Sequence, residues 1–346
     1  MIDALLKRNL VPDAAIRAAI RWNCRLRLKE QCRQPGEERL LVEGPVALHT
    51  DAANEQHYEL PPRFFELVLG PHRKYSSAYW PDGDETLAQA EEKMLERTMA
   101  AARLANGQRI LELGCGWGSL TLTMAARFRD ARIVAVSNST AQRDYILAVA
   151  AQEGLDNIDI VTADMNDFDP GERFDRIVSV EMFEHMRNWQ ELLRRCGNWL
   201  AEDGEMFIHI FCHRHFCYPY EVRDATDWMA KYFFTGGLMP DYGVFQRFPD
   251  LVAVAQEEFL PGWHYQKTAE AWLRNLDAHR DEVLELFAGV YGPRDASLWL
   301  QRWRIFFMAC AEMFGFRGGA EWGVGHYRLR PVRGARVIPM STREVA

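Results

Sequence analysis

The sequence predicts an α/β fold, a doubly wound parallel sheet, and three observations carry that expectation. Short runs rich in Ile, Val and Leu at 110–113, 132–137, 158–161, 174–180 and 204–210 alternate with stretches long enough for a helix. That alternation is the rhythm of parallel strands joined by helical crossovers. The first run ends in Gly114-Cys115-Gly116-Trp117-Gly118 and passes into Leu120, Met124 and Phe128 at helical spacing, so a strand turns on glycines directly into a helix. Finally, a 48% hydrophobic fraction with 11 Trp, 19 Phe and 11 Tyr in 346 residues supplies core for a sheet covered on both faces.

In chain order, residues 1–34 place Leu5, Leu6, Leu10, Ile16, Ile20, Leu26 and Leu28 among Arg and Lys, with Pro12 breaking the first helix. The pattern predicts a helical lid or dimer arm with a solvated basic face; the competing reading is a helix pair on a membrane surface. Residues 35–70 are polar and punctuated by proline, and 62–70 reads as a helix leading to the main domain, 71–346. Tyr75-Ser76-Ser77-Ala78-Tyr79-Trp80 gathers aromatics and hydroxyls ahead of a capped helix over 84–105, which makes it a candidate lid. Past 211 the strand–helix rhythm stops. Residues 211–248 are aromatic-rich and irregular, and predict a cap inserted over the site. Two closing strands are expected at 251–255 and 322–330, with two helices between them at about 268–290 and 295–314.

The net charge of −8 excludes a general nucleic-acid binder, which needs a basic surface. No apolar run approaches the roughly 20 residues that span a bilayer, and the first residues carry no signal-peptide core. The seven cysteines show no paired framework, so a reducing cytoplasm is expected.

Chemistry should gather at the carboxyl ends of the strands. A glycine turn into a helix brings backbone N–H groups close to a ligand, and Ser119 is the expected helix cap. A dinucleotide turn spaces its glycines as GxGxxG; here the run is GCGWG, with Glu112 two residues ahead of the first glycine. A carboxylate there suits an ammonium group, not a phosphate. The second strand ends in Ser137-Asn138-Ser139, with Gln142 one turn on, polar groups able to hold a ribose diol. The third ends at Asp164 and Met165, a carboxylate for an adenine amino group and a thioether for the ring face. The fourth ends in Glu181-Met182-Phe183-Glu184-His185. Three ionisable groups bunched at a strand end point to proton handling, with Glu184 or His185 as general base and Glu181 flanking the reacting centre. The fifth runs into His209, Phe211, Cys212, His213, His215 and Cys217, whose spacing fits no standard metal pattern and predicts a polar substrate wall.

Together these motifs resemble the cyclopropane fatty-acid synthase superfamily of class I methyltransferases. The likeness lies in the YSxxYW lid (Tyr75, Ser76, Tyr79), the GCGWGS turn, Asn138-Ser139 with Gln142, and Met182-Phe183-Glu184-His185. Within it the nearer likeness is to the benzylisoquinoline N-methyltransferases of coclaurine and pavine type. Those share the ExxEH form (Glu181, Glu184, His185), Phe211-Cys212-His213, and a C-terminal pattern of Trp303-Arg304, Glu312-Met313-Phe314, Gly318-Gly319 and Glu321-Trp322. Lipid synthases usually carry Gly where this chain has Glu181, and a bicarbonate-site Cys where it has Ser77. The resemblance implies a class I methyltransferase fold and S-adenosylmethionine as cofactor. Tyr75, Ser76, Glu112, Gly114, Gly116, Asn138, Ser139, Gln142, Asp164 and Met165 would hold that cofactor. Ser77, Tyr79, His209, Phe211, His213 and Tyr218 would contact a small-molecule amine or lipid. The implied activity is N-methylation of an amine; the alternatives are methyl transfer to an unsaturated lipid and a non-catalytic binding role. A homodimer and a peripheral membrane contact are further expectations for the N-terminal arm.

Overall fold

All five apolar runs form parallel strands, the first of them β1 (Arg109–Leu113), in the computed structural model, which describes residues 6–7, 10–33, 44–48, 60–223 and 227–333. Beyond Arg109, β1 is buried at every position, as its unbroken apolar run requires of a strand covered on both faces. It is flanked by β2 (Arg132–Ser137) and β4 (Phe174–Val180), with β3 (Ile158–Thr162) beyond β2 and β5 (Leu200–His213) beyond β4. A two-stranded ribbon, β6 (Tyr218–Pro219) and β7 (Leu238–Met239), stands apart. Of the two closing strands, β8 (Val252–Pro261) and β9 (Trp322–Pro331), β9 lies between β5 and β8 and runs antiparallel to both. The main sheet therefore runs β3-β2-β1-β4-β5-β9-β8, five adjacent parallel strands followed by β9 running against them and β8 running with them.

The helices explain where the site sits. The first, α1 (Asp13–Arg33), starts directly after Pro12 and is continuous. The short α2 (Pro62–Val68) and α3 (Leu87–Ala101) follow. A capping box at Thr86 and Gln89 starts α3 later than the sequence suggested. The glycine turn leads into α4 (Ser119–Arg127), whose cap position is Gly118 at φ 80°. Ser119 is thus the first helical residue and not the cap. The sheet helices continue with α5 (Thr140–Glu153) and α6 (Trp189–Trp199). Because β5 runs on through His213, the cap begins past 213 and comprises the ribbon with the short α7 (Trp228–Tyr232). Between β8 and β9 lie three helices where two were expected: α8 (Trp263–Ala278), α9 (Arg280–Tyr291) and α10 (Ala296–Phe314). His279 separates the first two, and Gly292 at φ 81° separates the last two.

A second hydrophobic core joins α1, α2, α8, α9 and α10 to the cap aromatics. Ion pairs fasten α1 to it. Arg17 holds Glu270 and Glu312 at 2.5 and 2.9 Å, and Arg304 forks between Asp13 and Asp277 at 2.7 and 2.6 Å. The expected arm is in this respect part of a helical lobe standing beside the carboxyl ends of the strands. Its stretches 1–5, 8–9, 34–43 and 49–59 lie outside the described residues.

One residue couples lobe and sheet. Gly262 links β8 to α8, its N–H donating to the Gly319 carbonyl at 2.9 Å, and a Cβ there would run into the backbone carbonyl oxygens of Trp322 and Phe314. Neither wall can yield, so Gly262→Ala should lower stability by about 3 kcal/mol or more in urea denaturation. Gly289→Ala, on α9 with open space around it, should be neutral or stabilising by up to about 1 kcal/mol.

Candidate active site

Two cavities meet at the carboxyl end of β4. The first, of ≈ 150 Å³, is lined by Glu112, Gly114, Gly116, Asn138, Gln142, Asp164 and Met165 from the strand ends and by Tyr75 and Ser76 from the lid. The turn has the left-handed backbone its glycines allow, φ 78° at Gly114 and 53° at Gly116. At Gly114 a Cβ would lie 2.6 Å from the Met182 side chain. The N–H groups of Gly114 and Cys115 both donate to the Val136 carbonyl, at 3.0 and 2.9 Å, so they tie the turn to β2 and do not face a ligand.

Glu112 is buried and accepts from Thr121 Oγ1 at 2.5 Å; burial pushes its carboxyl up to about 8. Gln142 accepts from Ser137 Oγ at 2.6 Å, while its buried Nε2 has no hydrogen-bond partner among the described residues. Asp164 accepts the Asn166 N–H at 2.7 Å. Ser139 is absent from this wall: its hydroxyl accepts the Gln142 N–H at 3.4 Å and caps α5.

The second cavity, of ≈ 90 Å³, is aromatic: Phe211, Tyr220, Phe234, Tyr265, Trp272, Phe306 and Phe314 surround it with Met229, Cys310 and Met313. Tyr75, Glu181 and His185 line both cavities. Glu181 has φ 49°, a strained conformation for a residue with a side chain. Donors from three elements hold it: the Ser77 N–H at 2.9 Å, the Tyr265 hydroxyl at 2.6 Å, and His209 Nε2 at 3.1 Å. Burial raises its carboxyl, opposed by the charge of Lys74 and by the Ser77 and Tyr265 donors. Lys74 is itself buried, donates to Ser76 Oγ and the Ser77 carbonyl at 2.5 and 2.7 Å, and is pushed down to about 8 by burial. It lines the first cavity and no sequence pattern singled it out.

Glu184 lies behind the wall, fully buried and lining neither cavity. Its Oε1 accepts the Phe211 N–H at 2.6 Å, and its Oε2 has no hydrogen-bond partner among the described residues. Burial and the neighbouring Glu181 charge hold this carboxyl well above the usual range.

Of the six residues expected to contact substrate, Phe211 alone lines the second cavity. Ser77 and His209 serve Glu181 from behind. The Tyr79 ring packs between His264 and Arg97, at 4.7 and 4.6 Å. His213 accepts the N–H groups of His215 and Phe216 at 2.9 and 3.0 Å, and Tyr218 accepts from Trp322 Nε1 at 2.8 Å. These last two are structural hydrogen bonds. Among the described residues no group of three or more His, Cys, Asp and Glu side chains could hold a metal ion. The wall that sequence reasoning missed comes largely from α8 and α10. Tyr265 and Trp272 stand seven apart on α8, and Phe306, Cys310 and Phe314 recur every four residues on α10, a one-faced stripe that also fits ordinary core.

Residues 48–319 match the family model for mycolic acid cyclopropane synthetase. The chain is 34% identical over 342 residues to (S)-coclaurine N-methyltransferase of Thalictrum flavum subsp. glaucum, covering 94% of this chain and 95% of that one. To the cyclopropane-fatty-acyl-phospholipid synthase of Escherichia coli (strain K12) it is 29% identical, over 71% of this chain and 65% of the relative. Among solved structures, coclaurine N-methyltransferase bound to N-methylheliamine and S-adenosylhomocysteine (SAH) superposes with a TM-score of 0.90 at 32% identity, covering 95% and 98% of the two chains. The mycolic acid cyclopropane synthase CmaA1, with SAH, shares the fold with a TM-score of 0.70 at 24% identity, covering 82% and 99%. By sequence and by fold, the chain belongs to the mycolic acid cyclopropane synthetase family.

Proposed function

We propose that this chain methylates the nitrogen of a small, largely apolar amine. It is an S-adenosylmethionine-dependent methyltransferase, in keeping with its N-methyltransferase relatives and with the SAH held by its solved neighbours. The first cavity suits that cofactor: Glu112 for the ammonium end, and the partnerless Gln142 Nε2 beside Asn138 for ribose hydroxyls. The observation that carries the reading is the junction, where Tyr75, Glu181 and His185 face both cavities.

Bound there, the cofactor supplies an electrophilic sulfonium methyl, which needs a lone pair in line within about 3–3.5 Å. An amine with a pKa near that of lysine, about 10.4, arrives protonated at neutral pH and must lose that proton. Glu181 already accepts three hydrogen bonds, so it serves as a fixed anion beside two cationic ligands. His185 stands at the wall of both cavities and takes the proton directly; Glu184, behind that wall with a spare oxygen and a raised pKa, is the acceptor to which it is passed. Aromatic faces around the second cavity stabilise a cationic amine. The lipid alternative is the weaker one, since the N-methyltransferase relatives align over nearly the whole chain and the cyclopropane synthase over less. We place the enzyme in the cytoplasm, on the strength of six buried, unbridged cysteines. No helix among the described residues is long and apolar enough to cross a membrane. A homodimer or membrane contact would use the outward side of α1, where Trp22 and Leu26 are exposed; vesicle co-sedimentation and the sedimentation coefficient of Trp22→Ser test both.

Two measurements test the assignment. Because burial holds Glu112 near 8, it carries a proton at neutral pH, and an incoming ammonium lowers its pKa. SAH binding should therefore release a proton, detectable by calorimetry in buffers of different ionisation enthalpy, and should tighten as pH rises toward 8. In Glu112→Gln the proton release should vanish and affinity should fall. For the base, His185→Ala should slow amine turnover by about 10²–10⁴-fold at neutral pH, with an equal or smaller defect in Glu184→Gln. Raising the pH toward the amine's own pKa should restore part of the loss. Wild-type rates in both variants on an accepted amine would reject the pair as the base.

A further inference from the structure

We infer that His326 is a positioning residue for Glu181, acting through His209 to keep the site's carboxylate ionised; the inference rests on the reading of Glu181 as the fixed anion. The antiparallel register sets His326 of β9 directly opposite His209 of β5. Both rings are buried. His326 Nε2 lies 3.0 Å from His209 Nδ1, and His209 Nε2 lies 3.1 Å from Glu181 Oε1.

A neutral imidazole has one donor nitrogen and one acceptor. Desolvation depresses both histidines well below their ordinary value, so both are neutral here. A carboxylate only accepts, so the His209 proton must sit on Nε2, facing Glu181. Its Nδ1 is then a lone pair that needs a donor, which His326 Nε2–H supplies. The chain thus has one polarity, His326 to His209 to Glu181. Without the second ring, the His209 proton is free to move to Nδ1, leaving an Nε2 lone pair against Oε1. That repulsion is relieved by protonating Glu181. The other charged or titratable groups acting on Glu181 are Lys74, Glu184, Tyr265 and Cys310. Around His326 stand Arg97 and Lys74, with Glu258 opposite in register and paired to Arg97.

The test compares His326→Leu and His326→Asn, which put no donor at the Nε2 position, with His326→Gln, whose amide reaches it. Calorimetry reads the affinity for S-adenosylmethionine, a cation at sulfur, against SAH, which is neutral there. In Leu and Asn the preference for the sulfonium should fall several-fold at neutral pH, and the acid limb of kcat/KM should move up by about one pH unit. Gln should restore both. Equal loss of both ligands, or the same pH profile in all three variants, would overturn the inference in favour of plain packing. Glu181→Gln separates the two levels of the argument. If it keeps the sulfonium preference, the reading of Glu181 as the fixed anion fails; if it loses the preference while Leu and Asn keep it, the inference about His326 alone fails.

Discussion

The buried carboxylate of Glu181 is the constraint around which this molecule is arranged. A charge with a side chain only 7% exposed persists only if hydrogen bonds replace the water it has lost. Its three donors come from three places distant in sequence: the lid at Ser77, β5 at His209 and α8 at Tyr265. The left-handed backbone at the end of β4 turns the side chain toward them, and the Glu181 N–H is fixed to the His209 carbonyl at 2.8 Å. The strain at one residue is thereby offset by contacts that also lock lid, sheet and helical lobe around the junction of the two cavities.

That junction sets the electrostatics of the whole site. Two carboxylates, Glu181 and Glu184, share a desolvated volume, and each opposes the ionisation of the other. The pair separates by partners: Glu181 has three donors and a buried lysine nearby, Glu184 a single backbone N–H. One environment favours the anion more than the other does, which is how two like residues at one strand end come to differ. Lys74 belongs to the same balance. Pushed down to about 8 by burial but still mostly protonated at neutral pH, it secures the lid turn through Ser76 and Ser77 and its charge favours the Glu181 anion.

The sheet was legible in the sequence because local physics determines it. The runs of β1, β2 and β4 are apolar since inner parallel strands are covered on both faces, and a glycine turn has few alternatives. The wall of the first cavity followed from strand ends, where Glu112, Gly114, Asn138, Gln142 and Asp164 line it. The wall of the second did not. On β5, His209, Phe211 and His213 alternate onto one face, so the pleat alone makes all three candidates. Register decides among them: β9 sets His326 opposite His209 and Trp322 opposite His213, and Val324 opposite Phe211. Pairing between residues more than a hundred positions apart leaves no local signature. The α10 stripe was ambiguous for a related reason, since an aromatic face reads the same toward a cavity as toward a core.

This division of labour follows from how the two cavities are built. The first cavity uses backbone turns and short polar groups on strands that also form the main core, so change there disturbs the fold. The second uses side chains of α8, α10 and the cap, elements inserted around the closing strands and held by a separate core. Substituting Phe234, Phe306 or Met313 reshapes the aromatic chamber without touching β1 to β4. Among the described residues, only Tyr75, Glu181 and His185 line both cavities. Change in the lobe can therefore reshape that chamber with little cost to the sheet, provided that the anchored carboxylate at the end of β4 keeps its donors.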